Sequence, residues 1–468
     1  MTKTSTLSLV VAMTLSGGFA ACSQGATGDE PVTSSTNQEL RGHNRGHGHG
    51  HGNRLVPSGS RSLHLEERVR FNPLQPGADA ENGRKKFGIA SDLETEDTTE
   101  ALFEGASVAY GGEVVSNGRS CFTCHRGAGA RFGLPSLPLT DSIPLTDTLF
   151  TGIDADAAGD PDAMDNLNLR GLIKYRPNRF NPQRDQTDPY RRVFFWRKSI
   201  QLINVAFNNG FLNDGRGRVM FETARGAVFS HTQTSDERFD DLFPVPTAND
   251  MEAFMFAQVS DPVLNALRDP NDPMYDTLVD DPYYTVPIFT RAQKRGKKVF
   301  DKYCFSCHNT PNVFNGLENI EALGTGQSER SVDNPGFAPP VGKFYNVGVA
   351  EANKHNLRFT EYTGSGFDPI VLPLANEDGT TRNLTVTFDV GLAASTARSE
   401  DVGRFKVPQL RGIKDAAPYF HDNSAATLEE VVDYFDSPQY NHSKDGRDYP
   451  IHLNRHQKRD LIEFLEQL

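Results

Sequence analysis

Two stretches of this chain, Cys121-Phe122-Thr123-Cys124-His125 and Cys304-Phe305-Ser306-Cys307-His308, set two thiols three positions apart and follow the second at once with an imidazole. That arrangement suits one chemistry. Thiols so spaced add across the two vinyl groups of a single haem while the neighbouring imidazole turns beneath the ring to bind iron. A redox disulfide would explain each cysteine pair but not a histidine in the same place twice, and a zinc site needs different spacing. The pattern implies two covalently bound haem c groups, with His125 and His308 as the proximal iron ligands. The chain has five cysteines, so Cys22 alone falls outside the motifs.

Cys22 has its own explanation. Lys3, an apolar stretch over 7–15 and the small residues that precede Cys22 read as an export signal over 1–21. A cysteine after Phe19-Ala20-Ala21 resembles the acylated first residue of bacterial lipoproteins. Ser23, in place of an aspartate, points to the outer rather than the inner membrane. The expectation is a lipid-anchored periplasmic protein, which also suits haem attachment outside the cytoplasm. Residues 22–62 read as a flexible tether. Its His43, His47, His49 and His51, set among glycines, could converge on a divalent ion, but a solvated linker explains them better.

The elements that must position the motifs come next. A length of 468 residues, with 37% hydrophobic and 23% charged residues, suits two domains of ordinary size. A formal charge of −13 argues against nucleic acid as a partner, because phosphates would repel it. The expected fold is mainly α: two cytochrome c-like helical domains with long loops and a small β-hairpin insertion. The boundary is placed in the Pro- and Asp-rich stretch 269–287, which divides a domain over 63–280 from one over 281–468. A helix should precede each motif. For the second it spans 291–303, with Val299, Phe300 and Tyr303 on one face. For the first it is sought over 99–115, where the pattern is less regular. Thr427-Leu428-Glu429-Glu430 reads as a capping box opening a helix through Phe435. A last helix from Asn454 presents Leu461, Ile462, Leu465 and Leu468, and should pack on the helix before the second motif. The hairpin is expected from residues 370–374 and 384–388 around Asp378-Gly379.

With both motifs placed, several segments resemble the bacterial dihaem cytochrome c peroxidase superfamily, which includes the MauG-type enzymes. They are 404–411, Ala417-Pro418-Tyr419-Phe420-His421-Asp422, Thr427-Leu428-Glu429-Glu430-Val431-Val432, Phe344-Tyr345-Asn346-Val347-Gly348, Arg197-Lys198-Ser199, 204–208 and Asp214-Gly215-Arg216. The resemblance covers about two-thirds of the mature chain. It implies a peroxide-cleaving site at the first haem and an electron store at the second. The partners it implies are hydrogen peroxide and a small redox protein, a cytochrome c or cupredoxin, as donor; a protein or organic substrate is the alternative. A plain electron carrier and a haem oxygenase remain as rival readings.

Site residues follow from the same resemblance, and here the chain departs from the family. Asn213 stands where the family has an inter-haem tryptophan, Thr223 where it has a glutamine, and Gln233 where it has the acid-base glutamate. A glutamine can only hydrogen-bond, so His231 becomes the candidate proton carrier. No histidine lies between His125 and His231, which implies a first haem with an open face. The family's sixth ligand to the second haem aligns with Phe435, which cannot bind iron. Tyr434, Tyr440 and His442 are the candidates in that order. His421 is expected near a propionate or between the haems, and Arg216 and Arg411 as propionate or structural partners. Lys198 replaces an asparagine that holds calcium in the family. An ammonium cannot ligate calcium, which leaves calcium doubtful here. Trp196, the only tryptophan, could relay electrons, with packing as the simpler role.

Overall fold

The computed structural model describes residues 77–89, 109–110, 113–114, 118–126, 137–151, 162–177, 180, 193–208, 210–217, 219–232, 243–316, 343–362 and 366–468. Over these residues the chain is mostly helical, with small antiparallel strand pairs. The signal, the tether and Gln233 lie outside the described residues.

Among the described residues seven helices have eight residues or more: α1 (Ala80–Phe87), α2 (Ala163–Arg170), α3 (Met220–His231), α4 (Val245–Phe256), α5 (Arg291–Tyr303), α6 (Leu428–Phe435) and α7 (Arg455–Leu465). The ends of α5, α6 and α7 agree with the sequence patterns. Thr290 caps α5 through Gln293, and Asn454 caps α7 through Gln457, each as a reciprocal capping box. At α6 only half of the expected box forms. Thr427 accepts from the Glu430 N–H, but the Glu430 carboxylate turns to the Ala426 N–H instead.

The first motif differs from expectation. The stretch sought as its leading helix holds a strand pairing Ala109–Tyr110 with Glu113–Val114. The helical role passes to α1, far upstream, whose Phe87 ring lies 6.1 Å from the His125 ring. A long excursion therefore separates the helix from its motif, which is why a search close to Cys121 fails.

The two halves cross their helices in one way. Gly83 of α1 meets α4 so closely that an added Cβ would fall 2.0 Å from the Asp250 carbonyl oxygen. Gly296 of α5 meets α7 likewise, at 1.8 Å from the Asp460 carbonyl oxygen. Each glycine precedes a basic triplet or pair and then a buried phenylalanine, Phe87 or Phe300. Backbone meets backbone at these points, and no side chain can yield. Gly296→Ala is therefore expected to lower the unfolding free energy by about 1–3 kcal/mol. Gly226→Ala, on the open face of α3 with nothing within 4 Å, should leave stability unchanged or raise it by up to about 1 kcal/mol. Denaturant titration of both variants checks the contrast.

Strands are short: β1 (Leu172–Tyr175), β2 (Phe195–Lys198), β3 (Phe344–Tyr345), β4 (Val371–Ala375), β5 (Thr381–Thr385) and β6 (Phe405–Lys406). β4 and β5 form a hairpin, with Val371 opposite Thr385 and Ala375 opposite Thr381, so the return strand lies three residues earlier than the expected 384–388. Gly379 adopts φ +81° in its turn, a conformation that favours glycine. β1 pairs with β2, Leu172 opposite Lys198, and β3 with β6.

Separate apolar cores fill the framework. One gathers Phe87, Phe122, Met251, Phe254 and Met255 around α1, α3 and α4. Another gathers Phe300, Phe314, Val432, Leu461 and Phe464 around α5 to α7. A third joins Phe194, Phe195 and Trp196 from early in the chain to Leu372, Leu374, Val390 and Ala393 from late in it. Within the stretch 269–287 Leu278 is buried, in a cluster with Phe207, Leu264, Leu267 and Val313, and the Asn312 side chain donates to the carbonyls of Leu278 and Asp281.

Candidate haem-binding site

Both motifs close the same turn. The His125 and His308 N–H groups each donate 3.0 Å to the carbonyl of the first cysteine of their motif, Cys121 and Cys304. This turn brings the imidazole back beside the two thiols. The ring is then fixed from behind. His308 Nδ1 donates to the Phe314 carbonyl at 2.9 Å, and His125 Nδ1 lies 3.4 Å from Ser199 Oγ, which also bonds the Cys124 carbonyl. With Nδ1 held, Nε2 of each ring is the nitrogen available to iron.

Both motifs open into one cavity of about 540 Å³. Phe87, Leu202 and Met251 wall it beside the first motif, and Phe300, Val432 and Leu461 beside the second. Burial pushes the His125 pKa down to about 4, helped by the charge of His231, and the His308 pKa likewise to about 4. Both are neutral imidazoles, the form that binds metal. Burial raises the Cys121 and Cys304 thiols to about 12. Arg119, Arg197, Lys198, Arg216 and Lys406 reach the same cavity, and guanidinium groups suit carboxylates such as haem propionates. Two thiols, an anchored imidazole, an apolar wall and a cationic rim at each end are a donor set that fits haem twice.

A buried ion network braces the wall between the motifs. Arg197 on β2 grips Asp389 with two nitrogens at 2.6 and 2.9 Å, and Asp214 at 2.9 Å. Arg216 holds the other oxygen of Asp214 at 2.7 Å and lies 3.7 Å over the Tyr175 ring. Burial works against the Asp214 charge, but Arg216 and Arg197 outweigh it and hold the carboxyl at about 2. Sequence reading singled out Arg216 but not Arg197 or Asp389. Those two are separated by 192 positions, and no local pattern joins them.

Known proteins were compared with the chain. No protein-family model matches it. A cytochrome-c peroxidase IdrP2 of Denitromonas iodatirespirans is 26% identical over 295 residues, 60% of this chain and 70% of that protein. A cytochrome-c peroxidase IdrP1 of Pseudomonas sp. is 30% identical over 180 residues, 38% of this chain and 40% of that protein. The methylamine utilization protein MauG of Methylorubrum extorquens is 35% identical over 65 residues, 14% of this chain and 18% of that protein.

Over these stretches the chain is similar to cytochrome c peroxidases and to MauG.

The similarity directs attention to the candidate positions named from the sequence. His231 ends α3 and lines the cavity, with Thr223 and Asn213. Thr223 Oγ1 donates to the Val219 carbonyl, and the Asn213 carbonyl accepts the Lys406 N–H. His421 lines the cavity too, stacked on Phe405 with ring centroids 3.9 Å apart. Arg411 stands back from the lining, donating to the Thr285 carbonyl and Ser260 Oγ. These bonds tie three segments together and leave Nη1 buried without a partner. Tyr434 sends its hydroxyl 2.7 Å to the Val347 carbonyl and stays out of the lining. Its neighbour Phe435 and Tyr440 reach the cavity instead, Tyr440 with its hydroxyl donating to the Tyr449 carbonyl at 2.9 Å. Trp196 is fully buried among aromatic and aliphatic neighbours and takes the packing role.

Lys198 ties distant segments together at the position where the sequence resemblance implies an asparagine. Its Nζ donates to the carbonyls of Ala416 and Pro418, and its N–H to the His421 carbonyl at 2.6 Å. Two main-chain oxygens thus face an ammonium, a geometry that supplies no ligand to calcium from this side chain.

Proposed function

We propose that this protein is a peroxide-linked dihaem oxidoreductase, reacting at a covalently bound haem c on His125 and passing electrons through a second on His308. The observation that carries this reading is the single cavity onto which both motifs open, each with its imidazole anchored through Nδ1. Bound haem supplies an open iron face for peroxide and a second centre that stores an electron equivalent.

The chain's own residues do the rest. Ser199 and the Phe314 carbonyl fix the two imidazoles. His231 stands in the cavity near His125, where an imidazole can take a proton from one peroxide oxygen and return it to the other. Gln233, two residues beyond, is assigned a hydrogen-bonding role. Arg216 and Lys406 offer positive charge to carboxylates in the cavity, and apolar walls keep bulk water out. The two-domain division near 280 belongs to the same reading, as do a lipid anchor at Cys22, a periplasmic location and a small redox protein as donor. Because Gln233 cannot carry a proton, oxidation of an organic or protein substrate in the MauG manner fits the chain better than rapid peroxide removal.

The test is an electron paramagnetic resonance spectrum of the ferric protein, with its intact mass, before and after one equivalent of hydrogen peroxide. The expected result is a mass two haems above the polypeptide, and a high-spin signal that disappears as both haems change together. Two low-spin haems that ignore peroxide, even after partial reduction, would leave an electron carrier.

A further inference from the structure

Helix α5 leads straight into the second motif and is charged against the trend of the molecule. Arg291, Lys294, Arg295, Lys297, Lys298 and Lys302 face one carboxylate, Asp301, a local charge of +5 in a chain of −13. Arg295 pairs with Asp460 and Lys297 with Asp301. Arg291, Lys294, Lys298 and Lys302 are exposed and form no ion pair with any described residue. Gln293, Gly296, Val299 and Phe300 are the buried face, so the unpaired cations lie on the opposite side. Lys294, Lys298 and Lys302 stand one turn apart and repel one another. Arg291 and Lys294 also sit in the first turn, where the helix dipole disfavours cations. Lys302 Nζ donates to the Tyr303 hydroxyl at 2.8 Å, but no carboxylate of the described residues answers this face.

Beside it, Phe289 is 81% exposed, the most exposed of the large apolar side chains described. Its N–H bonds Gln293 Oε1 at 2.9 Å, which fixes the chain at the helix entrance and leaves the ring in solvent. At the far end, Lys302 is two residues from Cys304, and Ser306 within the motif is exposed. An apolar contact within a one-signed rim is the make-up of a brief encounter surface steered by charge.

We infer that the solvent face of α5, from Phe289 to Lys302, docks a small electron-carrier protein whose surface around its redox centre is acidic. This rests on the reading that electrons enter through the haem on His308. The carrier would give one electron to that haem and itself be oxidised by one, with no bond made or broken.

The test omits peroxide, so it does not depend on turnover. The ferric protein is mixed in a stopped-flow instrument with a pre-reduced acidic cupredoxin, a pre-reduced lysine-rich cytochrome c, or a small neutral dye. The acidic carrier should react faster than the basic one, and about 10-fold or more slower at about 0.5 M salt than at low salt. Lys294→Glu/Lys298→Glu/Lys302→Glu should lower its rate about 10-fold or more while the dye rate and haem spectrum stay as in the parent. The inference is overturned if the triple variant matches the parent, if the basic carrier is faster, or if neither carrier reduces a protein that the dye reduces. Capture of the parent by anionic lipid vesicles, lost in the variant while carrier rates hold, would reassign the face to a membrane. Failure of peroxide turnover alone would overturn the proposed activity and leave this result standing.

Discussion

Arg197→Met is expected to destabilise the protein by about 3–5 kcal/mol, because it leaves two buried carboxylates without the charge that holds them apart. Asp214 is fully buried and Asp389 nearly so, and both bond Arg197. Asp214 would keep Arg216, whereas Asp389 would keep only the Gly391 N–H. Chemical denaturation at neutral pH measures the loss. The sign of its pH dependence follows from the direction of the shift. In the parent, Asp214 is held at about 2, so its stabilising share is present above the unfolded carboxyl range and lost as pH falls toward 2. In the variant Asp214 keeps only Arg216 against the cost of burial, so its carboxyl rises, and the deficit should shrink as falling pH protonates it. A loss under about 1 kcal/mol, flat with pH, would mean that water already reaches the pair.

His231→Ala should slow peroxide-dependent oxidation about 10²–10⁴-fold, the usual worth of a positioned proton carrier. The second haem's spectrum and the haem content should not change, since His231 lies on α3, walling the first site. His231→Gln should recover little, because an amide can orient peroxide but cannot carry its proton. Stopped-flow rates with a slow organic reductant separate the outcomes. If both variants react as fast as the parent, His231 only packs.

How far the sequence reveals this site depends on how local each feature is. The two motifs, α5, α6, α7 and the hairpin are carried by short patterns of spacing, capping and turn residues, and these can be read directly. The α5–α7 crossing is legible too, although the reason for Gly296, a carbonyl of another helix, is not. What stays hidden is set by distance along the chain. Arg197 finds Asp389, Lys198 finds Ala416 and Pro418, and α1 finds a motif beyond a long excursion. Tyr434 shows a subtler limit. A tyrosine one position from an aligned phenylalanine looks like a register slip, yet the helix turns Phe435 to the cavity and sends the Tyr434 hydroxyl to Val347. Helix periodicity tells which residues share a face, but not which way that face points.

The grip of Lys198 on residues near the C-terminal end has a consequence for the order in which the molecule comes into being. Its neighbour Ser199 steadies His125, while Lys198 itself is tied to Ala416, Pro418 and His421. The earlier site is therefore finished by the later part of the chain. A chain emerging N-terminus first presents Cys121 and Cys124 long before their surroundings can close, which under the proposed function leaves both thiols open to haem attachment. Closure then waits on contacts between distant segments, which form slowly. Until the last segments arrive, the contacts of Lys198 that close the first half cannot form.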